Sequence, residues 1–68
     1  MSVYKFIELV GTSEKSWEDA VTKVVETASK SLKDLRVAEV KEMDAKIEDG
    51  KIVLYRVKVN LSFKYRQA

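Results

Sequence analysis

The 68-residue chain contains no histidine and no cysteine, so its chemistry must come from carboxylates, lysines, arginines and a few aromatic rings. Thiol nucleophiles, the common serine–histidine triads and the usual zinc sites are thereby excluded. Paired carboxylates could move protons, but no pair sits in an evident cleft, so an enzyme is not expected. Binding chemistry remains. Glu39, Glu42, Asp44, Glu48 and Asp49 fall within one short stretch. Oxygen donors of this kind suit calcium, which takes about six to eight of them. The spacing is not that of an EF-hand, so one chain would make a weak site, while symmetry could gather one carboxylate from each of several copies. Solvated strand charges are the simpler reading. Lys41, Lys58 and Arg56 could flank an anion. Gly11-Thr12-Ser13 before a helix start could suggest another anion site, but the phosphate-loop lysine and glycine spacing is missing, and a turn with a cap is the better reading. Trp17, the single tryptophan, reads as a core residue.

These residues are carried by elements that the patterning makes plain. From Val53 to Tyr65 every odd position is apolar, and from Arg56 to Arg66 every even position is polar. Period two marks a strand with one dry and one wet face. Val3 to Val10 reads as a first strand, broken by Gly11-Thr12-Ser13. Ser16 as N-cap and Asp19 three residues on form a capping box. Trp17, Ala20, Val21, Val24, Ala28 and Leu32 then share one helical stripe, running to about Lys33. Leu35 to Glu48 is a second strand, and Asp49-Gly50 is a type I′ hairpin signal. The fold class is α+β, in the order β-α-β-β. The long last strand should lie centrally in a three-stranded antiparallel sheet partly wrapped around one helix, with a right-handed crossover.

The turn predicts a register. With a two-residue loop, Glu48 pairs with Lys51 and Ile47 with Ile52. Uninterrupted pairing then sets Ala45 against Leu54, Met43 against Arg56, Lys41 against Lys58, Glu39 against Asn60 and Val37 against Ser62 on one face. Ala38, Val40 and Glu42 meet Leu61, Val59 and Val57 on the face under the helix. A hairpin arm of about fourteen residues spans roughly 46 Å, and a helix of about 17 residues only roughly 25 Å. Val53, Tyr55, Ala45, Ile47, Ile52 and Leu54 lie beyond its reach. An apolar tip uncovered on both faces predicts a homo-oligomer.

Length allows a single domain, residues 1–68. A core this small usually needs help from disulfides, metals or partner subunits, and only the last fits easily. A net charge of +2 gives no case for nucleic acid or an anionic membrane. No apolar run spans a bilayer and no signal-peptide pattern is seen, so a cytoplasmic protein is expected.

The opening VYKFIELVGTSEKSWEDA, the middle RVAEVKEMD and the closing YRVKVNLSFKYR resemble the dodecin family over essentially the whole chain. Val-Gly-Thr-Ser at 10–13 and Ala-Glu-Val at 38–40 are the most specific pieces. Ser-Val-Tyr-Lys at the start, Ser-Trp-Glu at 16–18 and Arg-Val-Ala at 36–38 are similar to the calcium dodecin subgroup. The resemblance implies a non-enzymatic storage protein: a hollow homododecamer holding flavins, such as FMN or riboflavin, in pairs at subunit contacts. Flavin-binding members carry a tryptophan just before Ala-Glu-Val and a glutamine after the hairpin tip. Here those positions are Val37 and Arg56. Valine lacks a ring face, and ring stacking is worth about 0.5–1.5 kcal/mol per pair, so weak or absent flavin binding is expected. Val37, Arg56, Glu39 and Lys58 form the candidate ligand face. The resemblance also places Glu42 near a channel where cations have been seen, making it the candidate calcium ligand. A calcium-binding or purely structural assembly is the alternative.

Overall fold

The computed structural model describes residues 2–65; Arg66, counted above as the end of the alternating run, lies outside them. The order is β1 (Tyr4–Ser13), α1 (Trp17–Ser29), β2 (Leu35–Glu48) and β3 (Lys51–Lys64). The three strands form one antiparallel sheet in the order β1-β3-β2. The central position of the longest alternating run is therefore as the pattern predicts.

Helix α1 starts where its cap dictates. The Asp19 N–H donates to Ser16 Oγ at 3.0 Å, satisfying one of the orphan donors of the first turn. The apolar stripe buries Ala20, Val24 and Ala28 against Val57, Val59 and Leu61 of β3, with Trp17, Val21 and Leu32 packed at the rim. Full burial of a valine or leucine contributes roughly 1.5–3 kcal/mol, so these three β3 side chains anchor the domain.

Two expectations about element ends need correction. Gly11 does not break the first strand; it lies inside β1, paired with Val57. A methyl group there would sit 2.3 Å from Val24 Cγ2 and 2.8 Å from the Ala20 carbonyl oxygen. Glycine is present because helix and strand touch at that point. The helix also ends at Ser29, not Lys33. The Lys30 and Ser31 N–H groups reach back three residues, to Thr27 O at 3.3 Å and Ala28 O at 3.1 Å, tightening the last turn. The Ser29 hydroxyl bonds Glu26 O at 2.9 Å. Asp34 then turns the chain with φ 62°.

The hairpin turn is as expected, with Asp49 at φ 53° and Gly50 at φ 74°, as a type I′ turn requires. The register beyond it is not. Glu48 pairs with Lys51 and Ile47 with Ile52, but then Lys46 pairs with Leu54, so Val53 is an extra residue on β3. The pairing stays one residue out through Glu42↔Lys58, and Lys41 is an extra residue on β2 that restores Val40↔Val59 and Glu39↔Asn60. Two bulges on opposite strands thus compensate each other. Between them the faces of β2 are the reverse of those the turn alone implies. The finished molecule extends 52 × 20 × 14 Å, and a 13-residue helix covers about 20 Å of it.

Candidate functional site

The sheet has one face under α1 and one open face. Adjacent residues on the open face follow from the two registers. Across β1, β3 and β2 they run Phe6–Ser62–Val37, Glu8–Asn60–Glu39, Val10–Lys58–Glu42 and Thr12–Arg56–Asp44. All five candidate ligand residues therefore stand on one face. For Glu42 this is a correction. Uninterrupted pairing put it under the helix against Val57; the bulge at Lys41 moves it across, opposite Lys58. The expected Lys41–Lys58 like-charge pair does not form, for the same reason, and Met43 rather than Glu42 meets Val57.

The charged end of the face is tightly knit. Arg56 donates from Nε to Asp44 Oδ1 at 2.6 Å and from Nη2 to Asp44 Oδ2 at 2.8 Å, a two-point fork. The hydrogen bond from Arg56 holds the Asp44 carboxyl below its ordinary range, and the same contact raises Arg56. Lys58 Nζ lies 3.7 Å from Glu42 Oε2, a looser, one-point pair whose carboxylate remains 66% exposed. With Val10 and Val57 these four charged residues line a groove of about 190 Å³.

Val37 is not part of that groove. It lines a separate hollow of about 230 Å³ with Val25, Leu35, Arg36, Ala38 and Leu61. Val37 and Arg56 stand three rows apart, roughly 20 Å along the strands. One chain does not bring them together; only a second copy could complete a pocket containing both. Glu39 lies between, opposite Asn60. Among the described residues, no group of three or more carboxylates is close enough to hold a metal ion, so calcium would also need oxygens from another copy.

Asp44 is the member of the site that pattern reasoning did not single out as a partner for Arg56. Its position is secured from the helix side. Trp17 Nε1–H donates to the Asp44 carbonyl oxygen at 2.9 Å, and the indole meets Tyr55 edge-on with centroids 4.9 Å apart. Trp17 packs against the core, as its place on the stripe suggested. It also reaches Tyr55, which was expected to lie beyond the helix. The Gly-Thr-Ser segment, expected as a turn with a cap, is instead the end of β1, and only its Ser13 side chain braces the helix start. Buried Ser13 Oγ accepts from the Lys15 N–H at 2.9 Å and donates to Asp19 Oδ2 at 2.6 Å. The Asp19 carboxylate itself stands at the helix start, held low by that bond and by Lys23. Among the described residues, no helix is long and apolar enough to cross a membrane.

The dodecin family model matches residues 3–66. The calcium dodecin of Mycobacterium tuberculosis is 46% identical over 68 residues, covering all of this chain and 96% of that one. The dodecin structure from Streptomyces coelicolor superposes with a TM-score of 0.92 at 33% identity, covering 98% of this chain and 96% of that one. The crystal structure of the M. tuberculosis calcium dodecin, described as calcium chelating with a novel calcium-binding site, superposes with a TM-score of 0.82 at 47% identity, with the same coverages.

Proposed function

The chain belongs to the dodecin family, and we propose that it is a non-enzymatic binding protein that assembles from copies of itself, as a hollow dodecamer, and holds a small ligand or ion where those copies meet. One observation carries the reading. Large apolar side chains stand uncovered along the sheet: Phe6 at 60%, Val10 at 64% and Ile47 at 65% exposure. A soluble protein this small leaves such a surface only where something covers it, and the incomplete halves of the ligand face call for a second copy.

Flavin is the ligand the family suggests, and the residues present do not fit it well. Val37 offers no ring to stack on, and the Arg56 guanidinium is already held by Asp44. The second reading is calcium shared between copies. It is favoured by the relative named calcium dodecin and by the loosely held, exposed carboxylate of Glu42. Light scattering after size exclusion tests the assembly. Twelve copies of a 7.8 kDa chain give about 94 kDa, and a monomer peak refutes the proposal. Riboflavin fluorescence should be quenched weakly or not at all at micromolar protein. Calcium should raise the melting temperature, and Glu42→Gln should abolish that rise; a rise unchanged by Glu42→Gln removes Glu42 from the site.

A further inference from the structure

Arg56 and Lys58 sit two residues apart on β3 and point to the same open face, about 7 Å from one another along the strand. A guanidinium fork beside an ammonium is the equipment of a site for phosphate-bearing ligands. Two carboxylates oppose it unequally. Glu42 touches Lys58 at one point, 3.7 Å away. Asp44 grips Arg56 at two, 2.6 and 2.8 Å away. The four charges cancel, and the Nε edge of Arg56, the edge best suited to a bidentate anion, is spent.

Asp44 owes this position to local structure. Without the bulges at Val53 and Lys41, Met43 would stand opposite Arg56. Its carbonyl is tied to the Trp17 indole, so the main chain is anchored from the helix side while the carboxylate reaches out on the open side. We propose that Asp44 determines the ligand specificity of this face: by holding Arg56 it denies the groove to phosphate monoesters. This rests on the reading of the open face as the ligand face. Asp44 acts through Arg56 and need not touch the ligand.

The experiment compares the assembled protein with Asp44→Asn, a near-isosteric change that removes the charge, using FMN and riboflavin as fluorescent probes. Both carry the same ring, and only FMN carries a phosphate. A charge-assisted contact to a freed guanidinium should tighten FMN binding by about tenfold, leave riboflavin unchanged and be reversed by inorganic phosphate. The double change Asp44→Asn with Arg56→Leu should lose the gain. Equal FMN affinity in wild type and Asp44→Asn overturns the proposal. So does an equal gain for riboflavin, or a gain that survives loss of Arg56. Asp44→Ser provides the same comparison should Asp44→Asn fail to assemble. A wild-type monomer in light scattering defeats the shell reading, whereas an assembled protein whose FMN affinity ignores Asp44→Asn defeats the Asp44 proposal alone.

Discussion

Replacing Gly11 by alanine tests the closest contact in the fold. The added carbon would lie 2.3 Å from Val24 Cγ2, 2.8 Å from the Ala20 carbonyl oxygen and 3.5 Å from Val57 Cγ2. The first neighbour is a side chain, but it is buried and wedged between helix and sheet. The second is helix backbone and cannot rotate away. Relief requires α1 to lift from β1 by several tenths of an ångström, which loosens the packing of Ala20 and Val24 over Val57 and Val59. Overpacking of this kind typically costs about 1–3 kcal/mol. The stiffer unfolded chain of the alanine variant returns about 0.4–1 kcal/mol. With two contacts well inside normal range the upper end applies, and a net destabilisation of about 2 kcal/mol follows. For a domain of this size each kcal/mol moves the melting temperature by about 4–8 °C, so Gly11→Ala should melt roughly 8–16 °C lower. Circular dichroism melts must be made at matched protein concentration, because assembly makes the midpoint concentration-dependent. A midpoint within about 3 °C of wild type, or above it, would refute the claim that glycine is required by helix contact.

Four further outcomes are expected. Gly50→Ala should lose only about 1 kcal/mol, from its left-handed φ of 74°, since no atom lies within 4 Å of the new carbon; Gly50→Asn should be nearly neutral in the same melts. Ser16→Ala removes the acceptor of the Asp19 N–H and should destabilise by about 1 kcal/mol, read as a lower urea midpoint. The Asp19 carboxyl is held below its usual 3.8 by Ser13 and Lys23, so it favours the folded state above that pH and the contribution fades as pH falls through the folded value. Asp19→Asn should therefore flatten the acid limb of the urea midpoint–pH curve below about pH 4, and an unchanged limb would contradict the assignment. Val37→Trp restores a ring face and should strengthen riboflavin quenching; no change would show that Val37 does not line the ligand pocket.

The elements were legible because each rests on local chemistry. Ser16 and Asp19 announce the helix start, Asp49-Gly50 the turn, and the odd-position run of β3 the strand that both neighbours share. The helix end was not, because the stripe continues to Leu32 while the Lys30 and Ser31 N–H groups already bond in the tighter pattern. Gly11 was misread since a glycine in a strand and a glycine that ends one look alike until the helix is placed on top. Val37, Glu39, Arg56 and Lys58 were legible as one face, but Glu42 fell on the wrong face and Asp44 as the partner of Arg56 was missed. What covers Phe6, Val10 and Ile47 could not be read from one chain, because intersubunit complementarity leaves only exposed apolar residues as its trace.

The register error at the centre of the hairpin has a cause that was visible in β2. Its helix-side apolar residues fall at Ala38 and Val40 and then at Met43 and Ala45, a step of three where a regular strand steps by two. A type I′ turn fixes only the pairs beside it. Further along, side-chain pairing decides. Uninterrupted pairing would have put Glu42 and Asp44 on the helix side of the sheet, away from Lys58 and Arg56, and set Lys41 against Lys58 as a like-charge pair. One extra residue on each strand removes both faults at the expense of two interrupted hydrogen-bond steps, placing Met43 on Val57, Ala45 on Tyr55 and both carboxylates against cations. The bulges are thus what the alternation itself demands, and they put the Asp44–Arg56 pair where it controls the open face.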